Sequence, residues 1–215
     1  MISASFLSSK DIPRTLTILN DTDVDYIHVD VMDGRYVKSK SLPFKEMRYI
    51  YKFTDKRLDI HLMVSKPSKY IDKYASLNSS YITIHLDTME DVLKNLKLIK
   101  SYGIKTGLAI NPNNKVEEII PYLENIDLIL VMGVVPGYGG QVFIEETIDK
   151  LKELQVLKKE YPNYHFKISV DGGVNQIVAN KIKNLTDILV SGSYITNSAD
   201  YQKQIDSLRW KLLMV

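Results

Sequence analysis

The chain has 215 residues, 45% of them hydrophobic, and its 28 basic and 26 acidic side chains leave a formal net charge of +2. No basic block stands out and no apolar run approaches about 18 residues, which argues against a nucleic-acid partner and a membrane span. There is no cysteine, so disulfides and thiolate metal sites are excluded. Met1-Ile2-Ser3-Ala4 lacks the basic flank and apolar stretch of a signal peptide, and a soluble, cytoplasmic protein is expected. One domain spanning residues 1–215 suits this length.

In chain order, short β-type runs fall at Ile2–Leu7, Tyr26–Val31, Leu58–Met63, Tyr81–His85, Lys105–Ile110, Leu128–Val134, His165–Val170 and Ile188–Val190. Amphipathic segments lie between them. Met89 to Ile99 places Val92, Leu93, Leu96 and Ile99 on one stripe, and Glu145 to Leu157 turns Ile148, Leu151, Leu154 and Val156 or Leu157 inward. Asp11, Pro43 and Pro67 are start signals, and Gly103 is a stop signal. Eight strands alternating with helices, without a Pro/Gly/Ser-rich linker, predict a single parallel α/β domain. The count favours a closed barrel; the pattern alone leaves an open, doubly wound sheet in play.

His28 and Asp30 stand two apart in Tyr26-Ile27-His28-Val29-Asp30-Val31-Met32-Asp33-Gly34. A strand puts both on one face, with Ile27, Val29 and Val31 on the other. Ionisable groups are seldom buried without a partner, and imidazole beside carboxylate is a common beginning of a metal site. Later runs end in the same way, at His61, His85 and Asp171. A barrel gathers strand ends around one mouth, where the active site lies. His28, Asp30, His61 and Asp171 thus form a candidate shell for one divalent ion, Zn²⁺ or Fe²⁺ foremost, with Mn²⁺ or Co²⁺ also accommodated. A backbone-bonded strand end explains any one of the four as readily, but explains the four together poorly.

Glycine supplies the second constellation. Pro136-Gly137-Tyr138-Gly139-Gly140-Gln141 follows the sixth run, Gly172-Gly173 the seventh and Gly192-Ser193 the eighth. Glycine lets backbone N–H groups approach an anion, and the loops after strands seven and eight are the usual phosphate cradle of such barrels. One Gly-Gly pair is explained as well by a turn; three neighbouring clusters point to a phosphorylated small substrate.

Asp30-Val31-Met32-Asp33-Gly34, His61-Leu62-Met63-Val64, the Pro136–Gln141 segment and Val170-Asp171-Gly172-Gly173 resemble, in register, the signature segments of ribulose-phosphate 3-epimerases. The resemblance runs from Ser5-Phe6-Leu7-Ser8 to Gly192-Ser193. It implies a TIM barrel, a divalent metal, and reversible epimerisation of D-ribulose 5-phosphate to D-xylulose 5-phosphate in the pentose phosphate pathway. It further implies that Asp30 and Asp171 exchange the C3 proton on opposite faces, with His28 and His61 as metal ligands. Ser5 matches a serine contacting substrate or Asp, and Met32, Met63 and Met132 match thioethers lining the reaction centre. Those methionines are as readily ordinary core. The expected partner is a small sugar phosphate and the expected state a homo-oligomer, with no residue assigned to its interface.

Some positions depart from the family pattern: Arg35-Tyr36-Val37-Lys38-Ser39 replaces His-Phe-Val-Pro-Asn, Val135 a polar residue, Asp87 a glutamate and Ala4 a proline. They frame the substrate, so a 3-epimerase of a hexulose 6-phosphate, of the allulose 6-phosphate type, is the nearest competitor. A non-catalytic sugar-phosphate-binding barrel would call for a lost ligand or acid, and none is lost. Met32 where orotidine-monophosphate decarboxylases carry a lysine counts against decarboxylation.

Overall fold

In the computed structural model, which describes residues 1–209, eight parallel strands close into a barrel in chain order, with the eighth pairing the first. The strands are β1 (Ile2–Ser5), β2 (Tyr26–Met32), β3 (Leu58–Met63), β4 (Ser79–His85), β5 (Lys105–Ile110), β6 (Leu128–Met132), β7 (Lys167–Asp171) and β8 (Ile188–Ser191). Around them run α1 (Ile12–Asn20), α2 (Phe44–Met47), α3 (Ser68–Ala75), α4 (Val92–Ser101), α5 (Thr147–Glu160), α6 (Gln176–Ile182), α7 (Ser193–Thr196) and α8 (Tyr201–Leu208). Two 3₁₀ segments, Ile50–Lys52 and Val116–Asn125, complete the set; the latter carries Pro121, which opposes a regular α-helix there. The expected closed barrel is therefore the observed fold.

Strand alternation sorts the side chains. Ile27, Val29, Val31, Ile60, Leu62, Ile82, Ile84, Ile129, Val131, Ile168 and Val170 are buried in one core between sheet and helices. The opposite face fills the barrel, and it is divided. Towards β5, β6 and β8 it is apolar, with Ala109, Leu130, Met132 and Val190 in one cluster. Towards β1–β4 it holds buried Ser3, Ser5, His28, Asp59, His61, Thr83 and His85. Polar groups concentrated there signal a site, because each must be satisfied once out of water.

Where element ends differ from the sequence-based expectation, a local bond accounts for it. β1 stops at Ser5 because the Ser5 hydroxyl accepts the Leu7 N–H (3.2 Å) and Ser9 turns back to the Phe6 carbonyl (2.9 Å). β6 ends at Met132: Gly133 N–H still donates across to the Asp171 carbonyl (2.7 Å), but the Gly133 carbonyl accepts from Ile144 N–H (2.8 Å) in the following loop. The helix expected from Met89 begins at Val92, where Asp91 caps the Lys94 N–H at 2.9 Å. In α5 the inward residue is Leu157, while Val156 faces solvent. Leu96, fully buried on the α4 stripe, gives the first test of this packing: Leu96→Ala should lower unfolding free energy by about 2–5 kcal/mol, read from urea denaturation with an unchanged m-value.

Candidate active site

Parallel register brings the titratable groups together. β2 and β3 pair with His28 opposite Asp59 and Asp30 opposite His61. Each imidazole thus meets carboxylates both along its own strand and across to the next. His28 Nδ1 lies 2.8 Å from Asp59 Oδ2, which also accepts the Ser3 hydroxyl at 2.8 Å. With its Nδ1 proton held by Asp59, His28 turns Nε2, the nitrogen available to a metal, towards Asp30 Oδ1 (3.4 Å) and Asp171 Oδ2 (3.7 Å). His61 Nδ1 stands 3.3 Å from Asp30 Oδ1 and 3.5 Å from Asp171 Oδ2.

His61 is held from behind. Its Nε2 is 2.8 Å from His85 Nε2, and the two rings stack with centroids 4.9 Å apart. For His61 to offer a lone pair at Nδ1, its Nε2 carries the proton and donates to a neutral His85. Burial and then the charge of His61 push the His85 pKa well below the usual imidazole value, in keeping with that tautomer. At His28, burial opposes charge, but Asp59 and Asp30 outweigh it and the pKa stands well above the ordinary value. His61 is raised likewise, by Asp171 and Asp30 against burial. Asp30, despite burial, is held well below the carboxylate range by His28 and His61.

Ser5 donates to Asp30 Oδ2 at 2.8 Å and thereby turns Oδ1 towards the histidines. His28 Nε2 and His61 Nδ1 are buried without a hydrogen-bond partner, although both face carboxylate oxygens. Together with Asp30 and Asp171 they offer four ligand atoms lying within 4.8 Å of one another. Metal–ligand bonds of about 2.0–2.2 Å imply tetrahedral edges of about 3.3–3.6 Å. The four imidazole–carboxylate separations, 3.3 to 3.7 Å, match those edges closely.

A cavity of about 280 Å³ opens directly above this cluster. Ser5, Asp30, Met63, Met132 and Asp171 line its floor, and Gly137, Gly139, Gly140, Gly172, Gly173, Gly192 and Ser193 its wall. Gly172 and Gly173 adopt φ values of 106° and 70°, and a Cβ on Gly173 would lie 2.5 Å from the Phe143 backbone nitrogen. Met32 differs from the other two methionines: it packs against Met63 and Val37 and lies outside the cavity lining. Of the departures noted in the sequence, Val135 is exposed and outside the cavity, and Ala4 is buried in the core outside the barrel.

Two participants escaped the sequence reading. Asp59 was visible as a carboxylate two before His61, hence on the same face of β3, but its partner is fixed only by register. His85 stood out as a strand end, yet its contact to His61 has no sequence signal. Asp59→Asn should weaken metal binding by about 10–100-fold while leaving the fold intact, measured by chelator competition, because it removes the charge that orients His28.

Eight parallel strands around an ionisable cluster, with a glycine-walled cavity at their C-terminal ends, define a TIM-barrel enzyme architecture. Solved structures agree on the fold. KGPDC from Streptococcus mutans aligns with a TM-score of 0.70 at 14% identity, covering 96% of this chain and 94% of that one. 3-Hexulose-6-phosphate synthase from Salmonella typhimurium aligns at 0.64 and 16%, covering 96% and 95%. Sequence goes further. Residues 1–196 match the ribulose-phosphate 3 epimerase family. Ribulose-phosphate 3-epimerase of Helicobacter pylori is 35% identical over 209 residues, 97% of this chain and 96% of that one. Its namesake from Buchnera aphidicola is 39% identical over 190 residues, covering 86% and 82%. The chain belongs to the ribulose-phosphate 3-epimerase family, a family of isomerases.

Proposed function

We propose that this chain interconverts D-ribulose 5-phosphate and D-xylulose 5-phosphate at C3, with Asp30 and Asp171 as the two proton carriers and one divalent metal ion held by His28, Asp30, His61 and Asp171. The observation that carries this reading is the pair of buried, unpartnered imidazole nitrogens facing two carboxylates on the floor of the cavity. Such a donor set fits Zn²⁺ or Fe²⁺ foremost, and accommodates Mn²⁺ or Co²⁺. When bound, the metal supplies Lewis-acid stabilisation to the negative charge that develops on the substrate oxygens next to C3.

The residues of the chain do the rest. The C3 proton is acidified by the neighbouring C2 ketone, and a carboxylate within reach can remove it. Inversion then needs a second acid on the opposite face. Asp30 on β2 and Asp171 on β7 are separate groups with separate environments. The Asp30 side chain is 6% exposed and fixed by Ser5, while that of Asp171 is 17% exposed. The greater freedom of Asp171 suits the carboxylate that meets substrate and solvent. Met63 and Met132 supply weakly polar walls that exclude water from the proton in transit. The glycine-rich wall, with the Gly172-Gly173 and Gly192-Ser193 turns, suits the phosphate at the far end of the substrate. On this reading the chain is a cytoplasmic enzyme of the pentose phosphate pathway, in keeping with the bacterial metabolic family to which it belongs.

Proton NMR of D-ribulose 5-phosphate in D₂O tests the reading. Xylulose 5-phosphate carrying deuterium at C3 is the expected product. Exchange seen only with a hexulose 6-phosphate would retain the chemistry and overturn the pentulose substrate; exchange with neither would overturn both.

A further inference from the structure

We propose that Tyr36 is a positioning residue for His61, acting through His85; the proposal rests on the metal site set out above. Tyr36 belongs to the loop that follows β2, and it is pinned at both ends. Asp33 Oδ1 accepts the N–H groups of Arg35 and Tyr36, each at 2.8 Å. The other oxygen of Asp33 accepts the Ser65 N–H (2.8 Å) and hydroxyl (2.7 Å), which ties the loop to the end of β3. At the far end of the side chain, the Tyr36 hydroxyl donates to Asp87 Oδ1 at 2.6 Å and accepts from Asn111 Nδ2 at 2.7 Å. Asn111 also donates to Asp87 Oδ2 at 2.9 Å, closing a three-residue ring of bonds over the ends of β4 and β5. Lys150 of α5 anchors the base of that ring by donating to the Asn111 carbonyl at 2.8 Å.

Between these anchors the Tyr36 ring lies against His85, with centroids 4.8 Å apart and planes at 44°. His85 is fully buried and also stacks on His61, but a single hydrogen bond fixes its ring. Its Nε2 meets His61, and its Nδ1 is buried without a hydrogen-bond partner. An imidazole held by one hydrogen bond can swing about that bond unless packing stops it, and the Tyr36 ring is the packing on its outer side. A swing of His85 would release the Nε2 proton of His61 and let His61 Nδ1 turn away from Asp30 and Asp171. The aromatic ring thus locks His85, His85 locks His61, and the Asp87–Asn111 pair keeps the ring in place.

Zn²⁺ affinity of the purified, Zn²⁺-loaded chain, measured by competition with a chelator of known strength, tests this apart from turnover. Tyr36→Leu should raise the Zn²⁺ Kd about tenfold or more. Tyr36→Phe retains the ring and Asp87→Ala removes only the acceptor; each should raise Kd by a smaller factor. Asp87 is exposed, so its variant carries the test even where Tyr36→Leu fails to fold. With Zn²⁺ saturating, kcat of Tyr36→Phe should return to that of the unaltered chain. An unchanged Kd in a folded Tyr36→Leu overturns the role of Tyr36 while leaving the metal site standing, and where Tyr36→Leu does not fold an unchanged Kd in Asp87→Ala does the same. An unaltered chain that takes up no Zn²⁺ overturns the metal site, and the role of Tyr36 with it.

Discussion

Asp171→Asn is expected to lower turnover by about 10²–10⁴-fold, even at saturating metal, without moving the unfolding transition. The substitution preserves size and planarity at the end of β7 and removes only the ability to hold a proton at that oxygen. Apart from the two imidazoles, at 3.5 and 3.7 Å, no side-chain partner of the Asp171 carboxylate exists among the described residues. No buried network would therefore be left broken. Deuterium in xylulose 5-phosphate should fall with turnover, because inversion needs both carboxylates, whereas exchange into unconverted ribulose 5-phosphate persists where the remaining carboxylate still removes the proton. Near-normal turnover in this variant would sink the two-aspartate mechanism.

Metal removal should be as severe. Dialysis against a strong chelator is expected to reduce activity to background, with recovery on adding Zn²⁺, Fe²⁺, Mn²⁺ or Co²⁺. The pH dependence of reloading has a definite sign. His28 and His61 have raised pKa values in the metal-free chain, so protons occupy the nitrogens that the metal needs. Metal uptake must expel them, so affinity rises with pH and weakens on acidification. Titration calorimetry at several pH values would show proton release on binding. A chain stripped of metal, shown so by elemental analysis, yet fully active would exclude the metal from the reaction.

Much of this site was legible because strands report their faces. The spacing of His28 and Asp30 places them together whatever the rest of the chain does, and the glycine clusters mark the loops that wall the cavity. Counting alternations favoured the barrel and left an open sheet in play, which the pairing of β1 with β8 decides. What stayed hidden depends on register and on contacts between loops. Asp59 meets His28 only because β2 and β3 align as they do, and a shift by one residue would have turned it outward. His85 reads as a polar strand end until β4 brings its ring onto His61. Tyr36 lies in a loop without periodicity, and no pattern of neighbours along the chain foretells the hydrogen bonds to Asp87 and Asn111. Similar limits apply to helix ends, where single side-chain caps such as Asp91 decide the boundary.

The pairing of β8 with β1 has a consequence for how the molecule is made. Ile2–Ser5 is synthesised long before one of its two neighbours, Ile188–Ser191. Until then the growing sheet has two open edges, the arrangement most prone to pairing with other chains. The Met1 amino group reaches the Asp187 carbonyl at 2.9 Å, and the Met1 carbonyl accepts the Leu189 N–H at 3.0 Å. Bonds from Met1 thus extend the seam beyond the paired strand residues. A fragment lacking either strand cannot close the barrel, and a nascent chain exposes those edges until Ile188–Ser191 has emerged.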